Sequence, residues 1–190
     1  MNPSKTSSKN WFRRFCGRFA AATEGMVAVE FALIAPVMIG MFFAVNELSD
    51  GLEASTKVTS VASTAADLIA QEKSVCNAEI TDVFAALNSI MFPYPQNNMS
   101  IRISSLIDGG NGVVKVAWSD AQNTPPRNVN STVAVPAGLV TAGSSVIFAE
   151  VAYNFNSGTG KYLIGGRTIN DKFYLHPRKM AQIPRTANAC

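Results

Sequence analysis

MVAVEFALIAPVMIGMFFAV, residues 26–45, is an uninterrupted apolar stretch with one charged side chain, Glu30. About 20 helical residues span a hydrocarbon core of about 30 Å, so the stretch predicts a transmembrane helix. A removed secretory signal is the alternative, but its apolar region is usually about 7–15 residues long and ends in a small-residue cleavage site. The stretch here is longer and is followed by NELSD, so we expect the helix to stay in the membrane.

The positive charge of the chain is concentrated before this stretch. Residues 1–25 form a basic leader with five Lys or Arg residues and a single acidic residue, Glu24, whereas the whole chain has a net charge of +3. Because basic flanks stay in the cytoplasm, we expect a cytoplasmic N-terminus, one membrane span and an exported part from residue 46 to 190. The exported part has no basic excess, which argues against nucleic-acid binding.

Two residues of the predicted helix are unusual for a plain membrane anchor. A carboxylate such as that of Glu30 costs about 2.5–3.5 kcal/mol in a bilayer, although its place near the end of the stretch lets it reach the interface. Pro36 removes a backbone donor and should kink or loosen the helix. Both residues therefore suggest contacts beyond lipid.

The run GMVAVEFALIAP from Gly25 to Pro36, placed after a basic leader, resembles the signal of type IV prepilin-like proteins. It is most similar to the TadE/TadG-like proteins of the tight-adherence (Flp, type IVb) pilus system. In that family a membrane aspartic peptidase cuts after the glycine, and a glutamate stands five residues beyond the cut. The resemblance therefore implies cleavage between Gly25 and Met26, with Glu30 at the family's spacing. FYLHPR at residues 173–178 and a terminal Cys190 resemble the family more loosely.

The resemblance implies a minor pilin or pseudopilin, matured by prepilin peptidase, that takes part in pilus assembly. Its expected partners are other pilins and pseudopilins and the assembly platform of the inner membrane, with the exported part periplasmic and no cofactor. Glu30, Phe31 and Pro36 would set the register between subunits, with the Glu30 carboxylate neutralising the new Met26 amine of a neighbour. The alternative is a single-pass envelope protein with an uncleaved anchor and an unrelated binding domain.

The exported part predicts an α+β fold, with a long N-terminal helix, one extra helix and a mainly antiparallel sheet. Residues 46–70 continue with helical spacing, and residues 71–190 form the exported domain. The apolar stripe of the first helix consists of Leu48, Leu52, Val58, Val61, Ala65, Leu68 and Ile69. A second helix is expected from about residue 77 to Met91, ended by Pro93 and Pro95.

Strand patterns follow the second helix. Ser100–Ile107 and Val113–Trp118 alternate in hydrophobicity around DGGNG, which predicts a hairpin, with a slip in the alternation before Leu106. Further strands are expected at Val146–Phe155 and Lys172–His176, separated by the glycine-rich SGTGKYLIGG.

No sequence motif points to catalysis or metal binding. His176 is the only histidine, no G-x-S-x-G motif surrounds a serine, and the Gly160-Lys161 pair lacks the spacing of a phosphate loop. We therefore expect no enzymatic activity and no metal site.

The two exported cysteines, Cys76 and Cys190, suggest a disulfide, because an even pair in an oxidising compartment usually pairs. Free thiols, or a bridge from Cys190 to another subunit, are the alternatives. Cys16 would leave with the leader.

Overall fold

In a computed structural model the described residues are 24–109, 112–156 and 166–187. The basic leader up to residue 23, most of the SGTGKYLIGG stretch and Cys190 therefore lie outside them. The chain divides into two units, one that ends at Asn46 and one that begins at Glu47. The elements are α1 (Glu24–Ala70), α2 (Asn77–Ile90), β1 (Met99–Asp108), β2 (Val114–Gln122), β3 (Ser145–Phe155) and β4 (Arg167–Leu175), with a short 3-10 helix at Gln96–Asn98 before β1.

The predicted long helix is confirmed, and it begins earlier than expected. α1 begins at Glu24 instead of Met26, so Gly25 lies in its first turn, and Pro36 lies inside it. The predicted second helix is confirmed as α2, with Ile80 and Leu87 buried. A difference of two residues is the ordinary variation in where a helix begins, because helix ends fray.

Among the described residues, four strands form one antiparallel sheet in the order β2-β1-β3-β4. The predicted hairpin is confirmed as β1 and β2, with a register shift where Ser105 pairs with Trp118 and Leu106 with Val116, so that the extra residue lies on β2. The slip before Leu106 has another cause, because β1 pairs with β3 without interruption and Leu106 packs on the opposite sheet face from Ile103.

β4 begins at Arg167, five residues before the predicted start at Lys172, and ends at Leu175. It is an edge strand with mostly exposed side chains, so its first half has little hydrophobic alternation to reveal it.

The main core of the second unit lies between one face of the sheet and the two helices. It joins Val58, Val61 and Ile69 of α1 to α2 and to strand residues that include Ile101, Ile103 and Val151. The predicted stripe of α1 is correct from Val58 to Ile69, with Leu68 only half-buried.

Leu48 and Leu52, at the start of the predicted stripe, are 63% and 62% exposed, so their predicted burial is wrong. They lie about 120° around the helix from Ala54 and Val58, which carry the buried face. Leu48 and Leu52 are spaced like residues of one helical face, but that face differs from the buried one that contains Val58.

A smaller apolar cluster lies on the opposite face of the sheet. Leu106, Val116 and Phe148 pack there with Val133 of the loop between β2 and β3. This loop thus covers one end of the sheet face that the helices leave open. The sheet face turned away from α1 and α2 is the outer face of the sheet.

Candidate functional site

The N-terminal unit consists, within the described residues, of an apolar helical segment without a protein core. From Met26 to Val45 the side chains are exposed except that of Ala35, which is half-buried. The most apolar 18-residue window of the helix has a mean hydropathy of 2.2, and none of it is buried. The helix is thus long and apolar enough to cross a membrane. Such a surface is unfavourable in water and requires lipid or apolar partners around it.

The predicted processing residues and Glu30 and Phe31 lie at the start of this segment, whereas Pro36 lies near its middle and is exposed. Gly25 is half-buried in the first helical turn, while Met26 and Phe31 are 69% and 67% exposed. Glu30 is exposed and lies four residues after Met26, so the two side chains share one face, one turn apart. The backbone N–H groups of a first turn have no acceptor within the helix, so this turn opens more easily than the rest.

The C-terminal tail is fastened beside Cys76, which caps the start of α2 and is 1% exposed. Val75 forms a parallel bridge with Arg185, and the Thr186 N–H donates to the Val75 carbonyl over 2.8 Å. The Asn77 side-chain amide donates to the Ala187 carbonyl over 2.7 Å. Cys190 lies outside the described residues, three positions further along the chain, within a reach of about 10 Å. The disulfide stays a prediction, and the path of the tail is compatible with it.

Arg185 is the centre of this tail attachment, and no sequence pattern indicates its role. Its Nε donates to Asp120 Oδ2 over 2.8 Å and its Nη2 to Asp120 Oδ1 over 3.1 Å. Nη2 also donates to Asn77 Oδ1 over 2.7 Å. The hydrogen bond with Asp120 raises the pKa of Arg185, against the opposing effect of burial. The guanidinium therefore joins the tail to β2 and to the start of α2.

The loosely resembling segment FYLHPR attaches the sheet to the end of α1. Tyr174 stacks on Phe148 with ring centroids 4.5 Å apart. The Arg178 N–H donates to the carbonyl of Ala70, the last residue of α1, over 2.9 Å, and its guanidinium pairs with Asp67. His176 follows the end of β4 and is exposed. Where the chain is described, no three His, Cys, Asp or Glu side chains cluster as a metal site requires.

Residues 25–67 match the model of a family described as TadE-like protein. The first helix carries a TadE-like segment. The match confirms the resemblance read from the sequence, and it begins at Gly25, the first residue of the quoted run. No curated protein and no solved structure matches the chain.

The TadE-like segment ends at Asp67 and therefore covers nearly all of α1. Asp67 is also the residue that pairs with Arg178. Together with the exposed apolar helix, the TadE-like segment indicates a membrane-anchored protein associated with the tight-adherence pilus machinery.

Proposed function

We propose that this protein is a minor pilin or pseudopilin that takes part in assembly of a tight-adherence pilus and catalyses no reaction. The observation that carries the proposal is the five-residue spacing from Gly25 to Glu30 at the start of an exposed apolar helix. The TadE-like match begins at the same glycine. Its partners are other pilins and pseudopilins and the assembly platform of the inner membrane.

Maturation by prepilin peptidase is part of this proposal. Gly25 suits a cut site, because it has no side chain beside the scissile bond and its backbone adopts many conformations. Gly25 lies at the second position of α1, where only the first turn has to open before cleavage. Cleavage would remove the basic leader and leave Met26 as the new N-terminus.

The orientation follows from the leader. Five basic residues precede the apolar helix, so the N-terminus remains in the cytoplasm and the second unit lies in the periplasm. After cleavage, the Met26 amine and the Glu30 carboxylate both lie at the membrane. Because each charge alone is costly there, helices that pair them between neighbours are favoured, and the pair fixes their axial register.

Mass spectrometry of the protein from cells with and without active prepilin peptidase tests the proposal. We expect a chain that begins at Met26 only where the peptidase is active. Gly25→Leu should block processing, because the added side chain crowds the scissile bond where the peptidase has to approach it. Gly40→Ala is the matched control, since a Cβ at Gly40 meets no atom within 4 Å. A full-length chain in cells with active peptidase would instead favour the uncleaved envelope anchor.

A further inference from the structure

A shallow polar depression lies on the outer face of the sheet, away from the TadE-like segment. Arg102, Glu150 and Lys172 are register partners on β1, β3 and β4, so their side chains form one row across three strands. Their neighbours in sequence, such as Ile103 and Val151, belong to the main core on the other face. The row is therefore turned outward at the centre of the sheet.

The row contains one carboxylate, which is already satisfied. Glu150 is 16% exposed and accepts hydrogen bonds from Arg127 Nε over 2.9 Å and Arg127 Nη2 over 2.8 Å. Arg102 Nη1 donates to the same carboxylate over 3.4 Å. Arg127 also lies over the Phe148 ring, 5.6 Å from its centroid, which holds the guanidinium in place.

Positive charge exceeds negative charge around the row. Arg102 and Lys172 line the depression and Arg127 binds Glu150 beside it, so three cations stand against the two carboxylates of Glu150 and Asp171. Within the described part of the chain, the Lys172 ammonium has no ion pair within 4.0 Å. Asp171, the adjacent residue, also lines the depression on the edge strand, and its Oδ1 accepts a hydrogen bond from the Lys172 backbone N–H over 2.8 Å.

Arg102 has N–H groups that are not used in hydrogen bonds within the protein and could bind an anionic ligand. Of its five N–H groups, Nε donates to the Pro125 carbonyl over 3.0 Å and Nη2 to Thr124 Oγ1 over 3.1 Å. With the bond to Glu150, three groups are used, and two have no acceptor among residues that the structure describes. A ligand carboxylate would accept from these two groups and from Lys172.

The depression has a volume of about 260 Å³, and Ser100 and Ala152 are among its lining residues. They lie opposite each other in the next row of the sheet, where their small side chains leave room beside Arg102 and Lys172. We propose that this depression binds the carboxylate of a ligand about the size of one sugar ring or one amino acid. A uronic acid and an aspartate or glutamate side chain both carry this group.

Titration of the full-length protein in detergent micelles, followed by ligand-observed NMR, tests the proposal. The probes are glucuronate with glucose as its neutral analogue, and N-acetylaspartate with N-acetylasparagine. We expect saturable binding of at least one acid with a Kd of about 1 mM, because ligands this small gain little affinity. Neither neutral analogue should bind detectably. Binding of only glucuronate supports a sugar source, and binding of only N-acetylaspartate supports a protein source.

Two variants distinguish binding at a specific site from nonspecific attraction between the acid and the charged protein. Lys172→Gln should weaken binding at least about tenfold, since it removes a charge-assisted hydrogen bond. Lys115→Gln is the matched control, because Lys115 is an exposed lysine on β2 of the same sheet and its loss changes the net charge equally. The proposal is wrong if both variants weaken binding equally, if the neutral analogues bind as well as the acids, or if no acid saturates.

Discussion

Replacing Arg185 with alanine should destabilise the second unit by removing the side-chain contacts of its C-terminal tail. The guanidinium contacts Asp120 of β2, Asn77 of α2 and the carbonyl of its tail neighbour Thr186, the last over 2.6 Å. These segments are up to 108 residues apart in sequence. The substitution therefore removes hydrogen bonds between segments that are far apart in the sequence.

The size of the effect follows from the burial of the Arg185–Asp120 pair. Their side chains are 19% and 23% exposed, so the pair is neither a surface pair nor fully buried. Breaking a buried pair costs about 3–5 kcal/mol, whereas an exposed pair contributes about 0–1 kcal/mol. We expect about 2–3 kcal/mol for Arg185→Ala, mostly because Asp120 loses its partner. For a unit of this size the Tm should fall by about 5–10 °C.

Thermal unfolding of the full chain in detergent, followed by near-ultraviolet circular dichroism, measures this change. Arg178→Ala is the matched control, because it removes a second arginine of the same segment whose pair with Asp67 is more exposed, at 58% and 38%. We expect the control to change the unfolding free energy by less than about 1 kcal/mol. Equal destabilisation by both variants would refute the reasoning from burial.

Four further predictions test other parts of the molecule. Glu30→Ala should leave cleavage and membrane insertion intact but reduce pilus yield and co-purification of partner pilins; normal assembly would contradict the register role. Non-reducing peptide mapping should recover a linked Cys76–Cys190 fragment, and reduction should lower the unfolding free energy by about 4–5 kcal/mol in the chain-entropy model; free thiols at both positions would contradict the bond. Leu87→Ala, at a fully buried position, should cost about 2–5 kcal/mol in urea unfolding. Burial raises the pKa of Tyr153 above 10.0, so the folded chain keeps a proton that the unfolded chain loses, and stability should fall as the pH rises above about 10. Tyr153→Phe should reduce that fall.

The elements that local sequence patterns determine were predictable. α2 follows from a single apolar face ended by prolines, and the β1–β2 hairpin follows from two alternating runs around a glycine-rich turn. The slip before Leu106 was also visible, because Leu106 lies on the opposite sheet face from Ile101 and Ile103 and packs in the smaller apolar cluster there.

Features that depend on distant partners were not predictable. The pairs Arg185–Asp120 and Arg178–Asp67 join residues 65 and 111 positions apart, and no sequence spacing indicates such contacts. The exposure of Leu48 depends on which side of α1 the sheet covers. The first half of β4 is a strand because it pairs with β3, and its own hydrophobicity gives little indication.

The proposed cleavage and the proposed role of Glu30 depend on each other. Before cleavage, the nitrogen of Met26 is part of the peptide bond with Gly25 and carries no charge, so Glu30 bears the cost of a charge at the membrane without that partner. Cleavage after Gly25 places an amine one helical turn from Glu30 on the same face. In a single helix, lipid headgroups and water bind both charges and weaken the attraction between them. Inside a bundle, neighbouring helices can pair the two charges away from water. The cut would thereby give the Glu30 carboxylate a partner of opposite charge, and packing between neighbouring helices would shield that pair from water.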